Sequence, residues 1–424
     1  MKYCPKRRAP GFSLIELLVA MAIGLVVTLA ITSVLIRSEG SKRSSTSLND
    51  VNQTGAYATY VLDRAIRSAG SGFSQRWNAV YGCRLDVSKG GAALLPIPAT
   101  IAASSAFTNI TASPTPLPLR LVPVIIAKGM ADASSEVRGD VLVVMAGTAG
   151  VGELPQSVNP GSVDASTTPP QLQLQNTLGY TTDDLVLLSD PGVAGGCMMQ
   201  QVGTHAAGTY GGVLPLAGDY FRATGTNVNL TNFGASTIAL QMGSAVNNRP
   251  QFFAYGVGDN RTLSSFDLLN PLPTGSDNRP DTPIADGVVE MRAIYGLDTT
   301  NPPDGVLDSW INPVAGSGYE ASVLTDGSAA SRAKLRQIVA VRVGLILRTA
   351  LKERSAVTSA SGAAAQETFS GANAASLTLF GGVTDAGGTS LSYTRSVSGG
   401  DLQYRYRPVE VVIPLRNVQM APQS

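Results

Sequence analysis

Residues able to do chemistry are sparse in this chain, and one of them sits in an unexpected place. Glu16 is a lone carboxylate at the head of an apolar run, and no charged residue occurs between Leu17 and Ile36. An ionised acid at such depth is costly in lipid and is by default a functional residue. It demands a positive partner. The single histidine, His205, lies in a Gly-Thr-His-Ala-Ala-Gly context and reads as a solvated loop side chain, with no Cys or His neighbour at metal-ligand spacing. Asp298, Asp304 and Asp308 have the flavour of a calcium loop. Their acids do not alternate as an EF-hand demands and two prolines interrupt them, so a turn between strands is expected. Tyr404 and Tyr406 alternate with Arg405 and Arg407, a pairing that elsewhere clamps single-stranded nucleic acid. On a strand the two types face opposite ways, which makes a solvated face instead. No nucleophile elbow, phosphate loop or dinucleotide fingerprint occurs. The chain therefore reads as no enzyme, with no cofactor and no bound metal.

What positions Glu16 is a helix. The 20 residues from Leu17 to Ile36, at about 1.5 Å each, reach roughly 30 Å, one hydrocarbon core. Lys2, Lys6, Arg7 and Arg8 precede them and keep positive charge on the cytoplasmic side. A secretory signal would have a shorter apolar core followed by a small-residue cleavage site. A plain anchor explains neither the Gly11-Phe12 junction nor the acid. Past Ile36, the polar residues Arg37, Glu39, Lys42 and Arg43 mark the membrane exit. Leu48, Val51, Gly55, Ala58, Leu62, Ala65 and Ala69 then recur at three- and four-residue spacing, one apolar helical face. The spacing predicts a single helix from about Phe12 to Ala69, ended by Gly70-Ser71-Gly72, whose second half packs its stripe on a sheet.

The basic leader, Gly11, Phe12 and Ser-Leu-Ile-Glu before a long apolar helix resemble the class III signal of type IV pilins. The resemblance implies cleavage by a prepilin peptidase between Gly11 and Phe12 and N-methylation of Phe12. It also implies that Glu16 pairs with the new amino terminus, its own or a neighbour's, as a registration device for assembly. Methylation leaves the amine charged. Asn52 to Ala58, Leu62 to Gly70 and Tyr81-Gly82-Cys83 are similar to the amino-terminal region of PilW-type minor pilins. Thr182 to Asp190, Ala285 to Val288, Ile294 to Asp298, Val341 to Arg348 and Pro414 to Val418 follow that family's order. Gly90–Leu117 and Ser355–Gly400 have no counterpart in the resemblance.

With 424 residues, only 14% of them charged, 45 glycines and 25 prolines, the composition favours β-structure with many turns. Removing the leader leaves 27 basic against 30 acidic residues, which argues against a nucleic-acid binder. It also removes Cys4, leaving Cys83 and Cys197. In an oxidising compartment these are expected to form a disulfide, the alternative being two thiols with one buried as a small hydrophobe. Strands are expected at Leu119–Ala127, Asp140–Ala146, Asp184–Ser189, Met198–Val202, Thr237–Met242, Gln251–Val257, Val288–Leu297, Leu335–Arg348 and Leu402–Pro414. Leu335–Arg348 alternates, with Leu335, Val339, Val341, Val343, Leu345 and Leu347 on one face and arginines on the other, as an antiparallel strand with one wet face would. Ala99–Pro118, Pro155–Pro170, Ser355–Ala375 and Gly381–Gly400 read as loops.

The expected fold is α+β and pilin-like: a leader (1–11), an N-terminal helix (12–70, spanning the membrane over 12–36) and an exported, antiparallel β-rich globular domain (71–424). The resemblance implies a single-pass inner-membrane protein with its body in the periplasm, later part of the pilus. Its partners would be the prepilin peptidase, other minor pilins and the major pilin, and its role the priming of assembly. Two alternatives stay open: a minor pseudopilin of type II secretion, and a tip adhesin or ligand-binding pilin.

Overall fold

The computed structural model describes residues 13–97, 106–107, 119–129, 139–149, 155–190, 192–193, 196–206, 212–234, 236–258, 260–270, 280–352, 368–369 and 374–421. Helix α1 runs Leu14–Ser68, free of proline throughout. By its contacts the chain divides into two compact units, Met1–Asp50 and Val51–Ser424. In the first, every apolar side chain from Leu14 to Ile36 is exposed. Thr28, Thr32 and Ser33 turn their hydroxyls back onto helix carbonyls three or four residues earlier. No side-chain hydroxyl among these three asks for a partner outside the helix, as an apolar environment requires.

The strands of the second unit are, in chain order, β1 (Arg84–Lys89), β2 (Ala92–Leu95), β3 (Val124–Ala127), β4 (Val141–Ala146), β5 (Gln156–Asp164), β6 (Gln171–Leu174) and β7 (Asp184–Ser189). Next come β8 (Gly196–Gln201), β9 (Val213–Pro215), β10 (Ile238–Ser244), β11 (Gln251–Val257), β12 (Thr262–Asp267), β13 (Thr282–Asp286) and β14 (Val288–Leu297). The last are β15 (Ser309–Ile311), β16 (Ile338–Arg348), β17 (Thr368–Phe369), β18 (Ala374–Leu379), β19 (Tyr393–Ser398) and β20 (Tyr406–Pro414). Among the described residues they form four sheets, ordered β2-β1-β8-β7-β10-β5-β6-β9, β13-β12-β11-β4-β3, β15-β14-β16-β20 and β17-β18-β19. The pairings are antiparallel except β1 with β8.

The end of α1 lies on the β14–β16–β20 sheet. Val51, Gly55, Ala58, Leu62, Ile66 and Ala69 are its buried face, and Leu347, Ile413 and Leu415 share their core cluster. Ile66 takes the place expected for Ala65, which is half-buried beside it. Each fully buried Leu or Ile contributes roughly 1.5–3 kcal/mol. Gly55 lets helix and sheet come close: a Cβ there would lie 3.4 Å from a Leu347 methyl and 3.5 Å from a Val409 methyl.

A side chain from far down the chain closes this helix. The Asn417 amide donates to the carbonyls of Ser68 (3.1 Å) and Ala69 (3.0 Å) at the helix end, the first of which also accepts from the Ser71 N–H. Gly70, at φ +78°, then turns the chain, and a Cβ there would collide with the Ser74 hydroxyl. Asn417→Ala is expected to cost about 1–2 kcal/mol. Asn417→Asp is expected to cost more, because it sets a negative charge against the negative end of the helix. Thermal unfolding of both variants gives the order.

Two expectations about the strands are corrected. Leu335 to Gln337 belong to a helix, Ala329–Gln337, capped where Ser328 Oγ accepts from the Ser331 N–H, so β16 starts at Ile338. Nor does β16 have a wet face: Val341, Val343, Leu345 and Leu347 pack toward α1, while Ile346 on the opposite face is buried with Leu377, Leu379 and Phe380. The cover is the β17–β18–β19 sheet, drawn in part from stretches that read as loops. Pro155–Pro170, also read as a loop, contains β5.

β20 is an edge. The Leu415 N–H donates to the Val339 carbonyl and the Thr349 N–H to that of Arg405. Counting in twos between them, odd-numbered residues of β20 bond to β16 and even-numbered ones face outward. Pro408 and Pro414 are even-numbered. Their missing N–H costs no ladder bond and withholds donors that an added strand would need.

Candidate functional site

At its amino end α1 is closed by two of its own residues. Ser13 Oγ accepts from the Ile15 N–H at 3.2 Å, and the Glu16 carboxylate reaches back to accept from the Ser13 N–H at 3.0 Å. This is a reciprocal cap of the Ser-x-x-Glu type. The negative carboxylate also suits the positive end of the helix. Glu16 is thus held toward the residue that precedes Ser13. The signal for this cap, Ser13 and Glu16 three apart before an apolar run, is present in the sequence and was missed there. Gly11, Phe12 and the basic leader lie outside the described residues. The helix that follows is long and apolar enough to cross a membrane.

The other expected residues lie elsewhere. Cys83, just before β1, is joined to Cys197 on β8 with Cα atoms 5.6 Å apart, beside the parallel pairing of Leu85 with Cys197. The loop it closes spans 114 residues, for which the chain-entropy model gives at most about 5 kcal/mol. His205 is not solvated. It is buried, with Nε2 3.3 Å from the Thr177 carbonyl and its backbone N–H donating to Thr182 Oγ1. Asp298 and Asp308 turn inward on their own loop between β14 and β15. Asp298 accepts from the N–H groups of Thr300 and Gly305, and Asp308 from both the N–H and hydroxyl of Thr299 and Thr300. These bonds hold the Asp308 carboxyl below the usual range. Tyr404 lies just before β20 rather than on it, and its ring carries the Arg348 guanidinium at 3.9 Å.

Sequence reasoning also missed a buried ionic cluster where three sheets meet. Asp140, at the entry to β4, and Glu290, on β14, are both fully buried. Arg292 bridges them, bonding Glu290 through Nε at 2.7 Å and Asp140 through Nη1 at 3.2 Å. Lys128 Nζ donates to Asp140 at 2.7 Å and Arg395 Nη1 to Glu290 at 2.9 Å. Burial draws the Lys128 ammonium below its ordinary pKa, with Asp140 opposing. For Arg292 burial acts the same way, but Asp140 and Glu290 outweigh it and its pKa stands above the usual value.

Two family models match the chain. Residues 6–32 match the prokaryotic N-terminal methylation motif, which spans the leader junction and the Ser13–Glu16 cap. Residues 255–417 match PilW, the type IV pilus-assembly protein W. The chain matches a PilW-family type IV pilin. The PilW match opens in β11 and ends on Asn417, the residue that closes α1, so it contains the sheet on which the helix rests and the sheet behind it. The matched region leaves out β1 to β10 and the cysteine pair. No curated protein and no solved structure matches the chain. A long apolar helix precedes an antiparallel β-rich body, a pilin-like arrangement. The motif and that helix suggest membrane anchoring.

Proposed function

We propose that the chain is a minor pilin that helps to prime type IV pilus assembly. In this reading a prepilin peptidase cuts between Gly11 and Phe12, Phe12 is methylated, and the helix packs with those of other minor pilins and the major pilin. The body stands in the periplasm until it joins the pilus. The observation that carries the reading is Glu16. Its carboxylate is held by the Ser13 N–H at the head of a helix whose apolar side chains from Leu14 to Ile36 are all exposed. A second carboxylate oxygen remains to meet the Phe12 amine of the same or a neighbouring subunit, which fixes axial register. Removing the gene is expected to abolish surface pili, with pili returning when retraction is disabled. Normal pili with failed protein secretion would point to a pseudopilin instead, and normal pili with lost adhesion to a tip adhesin.

Two further results are expected, one at the cleavage site and one at the cysteine pair. Gly11→Val should leave the precursor uncut in the membrane, because a branched side chain obstructs backbone approach at the scissile bond. A normal mature mass in that variant sinks the cleavage assignment. Cys83 and Cys197 should be bridged in the exported protein. Non-reducing mass spectrometry of natively purified chain checks this, and free thiol on both cysteines refutes it.

A further inference from the structure

Between β15 and the loop that joins β18 to β19 lies a groove of about 510 Å³, within the roughly 300–1,000 Å³ of small-molecule sites. Asp308, Ser309 and Trp310 line it from the β15 side, Thr384 and Asp385 from the loop, and Arg342 from β16. These residues are held in place by bonds of their own. Arg342 bonds Glu410 through Nε at 2.8 Å and Nη2 at 2.7 Å, with its guanidinium 6.0 Å from the Trp310 ring and 5.9 Å from that of Phe380. The loop is closed on itself, the Leu391 N–H donating to the Val383 carbonyl and Asp385 Oδ1 accepting from the Gly387 and Thr389 N–H groups. Asp308 receives the bonds of Thr299 and Thr300 on Oδ2.

What these bonds leave over is a mixed set. Asp308 Oδ1 and Asp385 Oδ2 are acceptors and Arg342 Nη1 is a donor, each without a hydrogen-bond partner among the described residues. The hydroxyls of Ser309 and Thr384 do either. Charge then selects among ligands. Glu410 meets the charge of Arg342, whereas Asp308 and Asp385 have no cation paired with them among the described residues, so the groove repels an anion. An ammonium group offers donors alone and leaves Arg342 facing a like charge. A neutral polyol brings a donor and an acceptor on every hydroxyl, and a pyranose also has an apolar face to lay on the indole of Trp310.

We infer that this groove binds a neutral sugar residue. Its hydroxyls donate to Asp308 Oδ1 and Asp385 Oδ2 and accept from Arg342 Nη1, and its ring lies on Trp310. The inference stands whether or not the chain primes assembly.

The test is calorimetric titration of the full chain, in a detergent without a sugar headgroup, with the methyl glycosides of D-glucose, D-galactose, D-mannose and N-acetyl-D-glucosamine. Saturable binding of at least one is expected, and none of methyl D-glucuronoside, the anionic control. A disaccharide of the best-bound sugar separates two sources: tighter binding marks a glycan chain, and binding no tighter marks a single sugar. Asp385→Asn keeps Oδ1 for the Gly387 and Thr389 N–H groups but puts a donor in place of the free oxygen. It is expected to leave the thermal midpoint unchanged and to weaken the best-bound sugar by about tenfold, the loss of one charge-assisted hydrogen bond. Trp310→Ala is expected to abolish binding, and Asp385→Asn decides alone should that chain fail to fold. The proposal is overturned if none of the four glycosides gives saturable heat or if the glucuronoside binds as well as the best of them. It is overturned equally if Asp385→Asn, or a folded Trp310→Ala chain, binds that sugar as the unsubstituted chain does.

Discussion

Cells carrying Glu16→Gln in place of the unsubstituted chain are expected to process the protein normally and to fail in assembling it. The glutamine carbonyl can still accept from the Ser13 N–H, so the cap at the head of α1 survives. What it lacks is the charge proposed to meet the Phe12 amine. Glu16→Ala loses both the cap, worth about 1 kcal/mol, and the charge. If registration is the role, the two variants are equally defective in surface pili, though both insert at least as well as wild type, since a charge has left an apolar helix. If capping is the whole role, Glu16→Gln assembles like wild type and only Glu16→Ala is impaired. Counting surface pili in the two strains separates the cases, and normal piliation of Glu16→Gln refutes registration.

Glu290→Ala is expected to destabilise the body by about 3–5 kcal/mol, the usual cost of breaking a buried ion pair by removing one partner. That is a large share of the roughly 5–15 kcal/mol that holds a domain folded. The substitution strips Arg395 of its bond at 2.9 Å and Arg292 of its bond at 2.7 Å, while both guanidinium groups stay largely enclosed. Glu290→Gln keeps the shape and an acceptor and should lose less. Replacing Glu290 and Arg395 together by apolar residues should lose less than Glu290→Ala alone, because fewer charges are left unpaired. Chemical denaturation of the three variants gives the order; a Glu290→Ala chain within 1 kcal/mol of wild type, on the order of a surface substitution, contradicts it.

The helix was legible because its evidence is local. An apolar run and a three-and-four stripe lie side by side in the chain, and the misplacement of Ile66 by one residue is the usual ambiguity of neighbouring apolar positions. The end of that helix was only half legible. Gly70 announced a stop, but Asn417, which donates to the last carbonyls, lies 349 residues beyond Ser68, and its Leu-Arg-Asn run read merely as a turn. The wet face assigned to β16 failed for a similar reason. Its cover comes from β18 and β19, whose Ser- and Thr-rich sequence alternates too weakly to announce strands. His205 was misjudged because its burial is set by Thr177 and Thr182, residues that reveal nothing about it in sequence. Glu290 was the avoidable miss. An acid within Val288-Val289-Glu290-Met291 is as anomalous as Glu16 among its leucines, and the same question about its partner would have led to Arg292.

The claim on which the account rests is that this chain is matured as a pilin. The most direct measurement is the mass of the amino-terminal peptide of the protein purified from membranes and from sheared pili. A chain that begins at Phe12 and carries one methyl group on its amine is expected in both fractions. A chain that retains residues 1–11, or begins anywhere other than Phe12, contradicts it.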